Sequence, residues 1–306
     1  MEARRASLLH DANGKISLGE RMPAAEYWFE SHDGLRLFSR VHPGPSAAAP
    51  VVLCLHGLMR NSRDFGDLAA RLATRHRVIV PDVRGRGLSA RDPHPGNYQI
   101  AVYLEDVQRL LAGLGAARVA LVGTSMGGLM GMVLAATQPG LVARLVLNDV
   151  GPEVDPAGLE RIRGYAGKGA PVRSWVEAIA QARATYGGAW PGLSDERWSK
   201  LVRQSYRENA QGVPEIDADP RISEMLRDNK AGAPDLWPLW GALAEIPILA
   251  IRGAHSDILS AATLERMKKV KPDLVTLSVA NRGHAPLLDE PECVAAIGEF
   301  LAGAPG

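Results

Sequence analysis

Ser125 stands in the run Gly123-Thr124-Ser125-Met126-Gly127, a G-x-S-x-G. A serine in this setting can act as a nucleophile when the backbone holds its hydroxyl out and a neighbouring base takes its proton. The flanking sequence supplies that geometry. The apolar run 119–122 precedes it, and a helix-period run, 126–137, follows and stops at Gln138-Pro139-Gly140. Strand, sharp turn and helix force the central serine into a strained, exposed position at the carboxyl end of a sheet. The start of the helix adds a backbone N–H and a partial positive charge where an oxyanion would develop.

A nucleophilic serine needs a base, and the base needs a carboxylate to orient it. His284, in Asn281-Arg282-Gly283-His284-Ala285-Pro286, follows the last apolar run and is the expected base. Asp257, in Arg252-Gly253-Ala254-His255-Ser256-Asp257, follows the run before it and is the expected acid. Both loops leave the carboxyl ends of strands, where open α/β sheets place their ligands. Asp149, at the end of Leu147-Asn148-Asp149, is the alternative acid, and His255 a rival base. Asp82 reads as a loop-fixing residue, and His56 as structural. The second oxyanion donor should come from another strand end. His56-Gly57-Leu58 closes the run 51–55, and the backbone amides of Leu58 and Met126 form the expected pair.

These residues require a sheet to hold them. Short runs at 27–30, 35–42, 51–55, 78–80, 119–122, 145–147, 246–251 and 274–279 read as eight strands, the later ones rich in Val, Leu and Ile. The later ones are apolar without a break, as strands buried on both faces of a parallel sheet are. Helical stripes lie between them, for example Phe65, Leu68, Ala69 and Leu72, or Ile100, Leu104, Val107, Leu111 and Leu114. The alternation predicts an α/β fold with a doubly wound, mostly parallel, eight-stranded sheet. The core comprises residues 23–152 and 241–306, after a polar N-terminal arm over residues 1–22. Residues 153–240 show helical pieces and no convincing strand. They hold five of the six tryptophans and nearly balanced charges, and read as a helical insertion after strand 6 that covers one end of the sheet.

Lys plus Arg number 35 against 34 Asp plus Glu, a formal net charge of +1. That balance speaks against a broad electrostatic interface with nucleic acid or anionic lipid. No run of 18 apolar residues occurs, so no membrane span is expected. The start has no apolar h-region, and the two cysteines, Cys54 and Cys293, sit in apolar stretches. The expectation is therefore a cytoplasmic protein. The run Gly85-Arg86-Gly87-Leu88-Ser89-Ala90 mimics a dinucleotide fingerprint, but Pro93 and Pro95 break the helix that it would need. With no phosphate loop, no C-x-x-C and no H-E-x-x-H, neither a cofactor nor a metal is expected.

Taken in order, His56-Gly57, Asp82-Val-Arg84-Gly-Arg-Gly87-Leu-Ser89, Gly123-Thr-Ser-Met-Gly127, Arg252-Gly-Ala-His-Ser-Asp257 and Gly283-His284 resemble the α/β-hydrolase superfamily. The resemblance spans about residues 27–301. It implies an eight-stranded core, a helical cap above the nucleophile, and an oxyanion hole from the residues after the His-Gly pair and after the nucleophile, which supports Leu58 and Met126. Relatives with a carboxylate nucleophile, the haloalkane dehalogenases and epoxide hydrolases, are disfavoured by Ser125. Relatives that cleave carbon–carbon bonds usually carry tryptophan after the base, where this chain has Ala285. The expected function is hydrolysis of small to medium carboxylic esters, the partner being a small-molecule ester substrate. Lactone or C–C hydrolysis, acyl transfer, perhydrolysis, or a receptor-like ligand binder with slow turnover are the alternatives. The oligomeric state is not legible from sequence.

Overall fold

The unbroken apolar runs form strands because alternate side chains are buried against helices on opposite faces of one sheet. The computed structural model describes residues 24–166, 170–228 and 235–303. The expected arm over residues 1–22 lies outside them. The strands are β1 (Ala25–Glu30), β2 (Arg36–His42), β3 (Val51–Leu55), β4 (Arg77–Asp82), β5 (Val119–Thr124), β6 (Val142–Asn148), β7 (Tyr206–Glu208), β8 (Pro214–Ile216), β9 (Ile248–Gly253) and β10 (Val275–Val279). Eight of them make one sheet in the order β1-β2-β4-β3-β5-β6-β9-β10. β2 runs antiparallel to both of its neighbours, and every other pairing is parallel. The predicted fold class is the observed one.

The helices are α1 (Gly66–Leu72), α2 (Ile100–Gly113), α3 (Met126–Thr137), α4 (Pro156–Tyr165), α5 (Trp175–Tyr186), α6 (Asp195–Ser205), α7 (Arg221–Asp228), α8 (Trp237–Ala242), α9 (Ala261–Val270) and α10 (Pro291–Ala302). Leu53, Leu55, Leu121 and Leu147 pack on one face of the sheet with residues of α2, α3, α8 and α9. Val52, Cys54, Val122 and Val146 pack on the other with α1 and α10. This is the period-two alternation of a strand buried on both sides. Cys54 and Cys293 are free thiols in the second of these clusters.

Between β6 and β9 the chain leaves the sheet to form α4 to α8 and one hairpin, β7–β8. The hairpin corrects the expectation that residues 153–240 hold no strand. Each of its strands has three residues, too few for alternation to register, and its turn is closed by the Asn209 amide donating to Val213 O at 2.9 Å. The aromatic residues of this stretch also divide. Trp190, Trp198 and Tyr206 form a cluster of their own with Trp175 and Tyr186 packed against it. Trp240 is instead buried in the sheet core, with Trp237 beside it. The expected boundary at 240 thus falls inside α8, a helix that packs on α3.

Candidate active site

Ser125 occupies the turn between β5 and α3 with φ 53° and ψ −116°. A non-glycine residue in this region is strained, and the strain is held by what surrounds it. The Ser125 amide donates to Asn148 O on the neighbouring strand at 3.0 Å, and Gly128 N donates back to Ser125 O at 2.9 Å. No side chain fits at the motif's outer positions. A Cβ on Gly127 would lie 2.1 Å from Leu55 O, and one on Gly123 would lie 2.4 Å from Gly127 O. The serine is therefore pressed out where strand and helix come too close for any larger residue.

His284 reaches it from the loop between β10 and α10. Its Nε2 lies 2.9 Å from Ser125 Oγ, and its Nδ1 lies 2.8 Å from Asp149 Oδ2. Because the carboxylate accepts, Nδ1 carries the proton and Nε2 is left to accept from the serine. Asp149 is fully buried at the carboxyl end of β6. The Ser256 hydroxyl donates to its Oδ2 at 2.6 Å and the Gly253 amide to its Oδ1 at 2.8 Å. An adjacent residue braces both strand ends. Asn148 Nδ2 donates to Thr124 Oγ1 at 3.0 Å and to Pro286 O at 2.9 Å, tying β5 to the histidine loop.

The carboxylate on His284 is thus Asp149, and the expectation for Asp257 is corrected. Asp257 faces the insertion instead, where Arg161 of α4 donates to both of its oxygens, Nη2 to Oδ1 at 2.8 Å and Nε to Oδ2. Partial burial alone would raise the Asp257 pKa, but Arg161 outweighs it and holds the carboxyl below the usual range. β6 and β9 are adjacent, so their two loops open at the same place. The positive φ of Asp149, 59°, turns its side chain back toward the histidine.

The other expected residues lie as follows. The Leu58 amide is in the loop after β3, and the Met126 amide begins α3. Among the described residues neither donates to a protein acceptor. Arg86 braces both: its Nε donates to Leu58 O at 2.9 Å, its Nη1 to Arg84 O at 2.7 Å, and its Nη2 lies 3.7 Å from Met126 Sδ. His56 is buried, donates from Nδ1 to Gly57 O at 2.8 Å and accepts from the Val83 amide at 3.0 Å. Burial lowers its pKa to about 4, so it is a neutral structural residue, as the sequence suggests. Asp82 accepts from the amides of Ser62 and Leu88 at 2.7 and 2.8 Å, and fixes loops.

A cavity of about 210 Å³ lies above Ser125 and His284, walled by both the sheet loops and the insertion. Phe65, Ile162, Trp190, Trp198 and Leu201 make much of its surface apolar. The insertion is stitched to the histidine loop on both sides of His284. Trp190 Nε1 donates to Ala285 O at 2.8 Å, and the Gly283 amide donates to Ala189 O at 2.6 Å. Sequence reasoning did not single out Arg86, Asn148, Ser256 or Trp190. For Asn148 a signal existed, since a polar Asn-Asp pair closing a fully buried strand needs partners at that strand end.

Residues 50–291 match the family described as alpha/beta hydrolase fold. The chain belongs to the α/β-hydrolase family. It is 34% identical over 270 residues to the 3-hydroxybutyrate-oligomer hydrolase of Cupriavidus necator, covering 85% of this chain and 91% of that protein. It is 27% identical over 237 residues to the 2-(acetamidomethylene)succinate hydrolase of Mesorhizobium japonicum, covering 78% and 82%. A crystal structure of an α/β hydrolase from Novosphingobium aromaticivorans superposes with a TM-score of 0.86 at 43% identity, over 91% of this chain and 98% of the other. The protein is a hydrolase of this fold. No helix among the described residues is long and apolar enough to cross a membrane.

Proposed function

We propose that this hydrolase cleaves carboxylic esters of small to medium size through an acyl-enzyme on Ser125. The observation that carries the reading is the continuous hydrogen-bonded line Ser125–His284–Asp149 at the floor of a largely apolar cavity. His284 Nε2 takes the Ser125 proton as Oγ attacks the ester carbonyl carbon. The Leu58 and Met126 amides hold the oxyanion of the tetrahedral intermediate. As that intermediate collapses the C–O bond breaks, and the alcohol leaves with the proton from His284. Water, deprotonated by the same nitrogen, then releases the acid and frees Ser125. Asp149 keeps the ring in the required tautomer and stabilises the imidazolium. No metal or cofactor enters these steps. The insertion acts through α4, α5, α6 and the hairpin β7–β8 as the cap that roofs the cavity. A hydroxy-acid oligomer is joined by ester bonds, so the name of the Cupriavidus relative supports an ester substrate.

The test is hydrolysis of p-nitrophenyl esters from acetate to palmitate by wild type and Ser125→Ala, with fluorophosphonate labelling in parallel. Turnover and labelling by wild type alone are expected, with an optimum at short or medium chains. Neither turnover nor labelling of Ser125 would overturn the reading. Labelling without turnover would keep the nucleophile and move the substrate to lactones or ring-fission ketones.

A further inference from the structure

Arg60 is a charged residue in the otherwise largely apolar wall beside the nucleophile. Arg60 lies two residues beyond Leu58 and lines the cavity. Its Cγ and the Ser125 Cβ flank one point in space, lying 3.6 and 3.8 Å from where a Cβ on Gly57 would sit. One edge of the guanidinium is taken: Nε and Nη2 donate to Asp64 Oδ2 and Oδ1 at 2.7 and 2.6 Å. Among the described residues the other edge meets no charge: Nη1 donates to the neutral Ser205 hydroxyl, which comes from the cap helix α6.

An ion pair beside an apolar cavity costs desolvation that a hydrophobic pair of similar volume would avoid, so stability alone does not account for this one. Other cations lining the cavity do join the cap to the core: Arg197 pairs with Asp289, and Lys200 with Asp67. Asp64 instead lies four residues from Arg60 on the same segment, so the ion pair itself joins no two elements, and Arg60 reaches the cap through the neutral Ser205 hydroxyl. The phenols of Tyr165 and Tyr186 also line the cavity, within electrostatic reach of Arg60. Burial raises the pKa of both, which keeps them protonated and able to donate.

We propose that Arg60 determines specificity: its Nη1–Nη2 edge receives a free carboxylate of the substrate, displacing Ser205, with the two phenols as further donors. The substrate class is then esters that carry a carboxylate a few bonds from the scissile carbonyl, such as acylated hydroxy acids. Planar, two-point recognition of a carboxylate is what a guanidinium edge offers and an ammonium does not. The proposal rests on the ester-hydrolase reading and refines it.

Two probe pairs test it, each matching an acid with its neutral amide: 4-nitrophenyl hydrogen glutarate against 4-nitrophenyl 4-carbamoylbutanoate, and 3-acetoxybutanoate against 3-acetoxybutanamide. After subtraction of the spontaneous reaction, wild type should favour at least one acid over its amide by about 10- to 100-fold in kcat/KM, as expected for a charge-assisted hydrogen bond. Asp64→Asn should raise that ratio, because it leaves more of the guanidinium charge to the substrate. The double variant Arg60→Gln/Asp64→Asn removes the pair together, without stranding a charge, and should bring the ratio to about one. A purely structural pair predicts no change of ratio in either variant. Calorimetric titration of Ser125→Ala with the same probes separates this proposal from the hydrolase reading. If wild type cleaves nothing but this variant binds an acid more tightly than its amide, the carboxylate site stands and the reaction is wrong. If esters are cleaved with no preference for either acid, or the preference survives in the double variant, the carboxylate site is overturned and the hydrolase stands. If neither cleavage nor preferential binding is seen, both fall.

Discussion

Ser256 donates a 2.6 Å hydrogen bond to Asp149 Oδ2, the same oxygen that faces His284 Nδ1. The loop after β9 therefore does serve the histidine, through a hydroxyl one residue before the aspartate that sequence reasoning chose. Its contribution is indirect, since it orients a carboxylate from the neighbouring strand.

Exchanging the two aspartates in turn separates their roles. Asp149→Asn should lower kcat on the order of 10⁴-fold, because the amide no longer favours the tautomer with Nδ1 protonated. Asp257→Asn loses a half-exposed ion pair with Arg161 and should hold kcat/KM within a factor of about five. Steady-state kinetics on one p-nitrophenyl ester decide it, and the reverse ranking would return the acid to Asp257.

Ser256→Ala removes a hydroxyl that donates to a buried carboxylate and also accepts from the amides of Ile258 and Leu259. We expect kcat to fall about 10- to 100-fold with KM little changed, the scale of one hydrogen bond to a charged group. Ser256→Thr should recover most of the loss. A change confined to melting temperature would mean that the hydroxyl only holds its own loop.

Arg86 reaches the Leu58 carbonyl and the Met126 sulfur from one buried guanidinium. Arg86→Lys keeps the charge and loses the fork, so the two proposed oxyanion donors lose their shared brace. The expected result is a kcat at least about 10-fold lower with KM preserved, since a misplaced donor is felt most where the oxyanion forms. A rise in KM alone would argue for a role in binding rather than in holding those amides.

Burial of His56 gives the fold a pH dependence whose sign follows from the loss of solvation of the charged ring. Its pKa falls from 6.5 to about 4 on folding because burial disfavours the charged ring. The unfolded chain therefore binds the proton more readily. The neutral ring's contribution is complete above about pH 6.5 and is lost progressively as pH falls from there to about 4. The loss amounts to about 3 kcal/mol. Urea unfolding at about pH 7.5 and about pH 4.5 should show a drop that is smaller by this amount in His56→Asn than in wild type.

The sheet was legible because its central strands are runs of apolar residues buried on two faces, and Ser125 because the positions two residues to either side of it must be glycine. Asp149 was harder to choose. Which of two aspartates on adjacent loops turns toward the histidine depends on one positive φ and on a competing arginine, Arg161, that lies in a distant helix. The hairpin β7–β8 was invisible for a different reason, since three residues per strand give no period. Arg86, Asn148 and Trp190 act through contacts 40, 138 and 95 residues away. No local pattern carries such pairings.

The two hydrogen bonds that stitch the insertion to the chain on either side of His284 bear on how such proteins could be recombined. Ala189 supplies a carbonyl and Trp190 an indole N–H, so the base is seated partly by residues of the roof. The insertion and the sheet are then not separable modules. A chimera that grafts a foreign roof onto this sheet inherits a misplaced histidine unless the donor brings an acceptor and a donor to the same two positions.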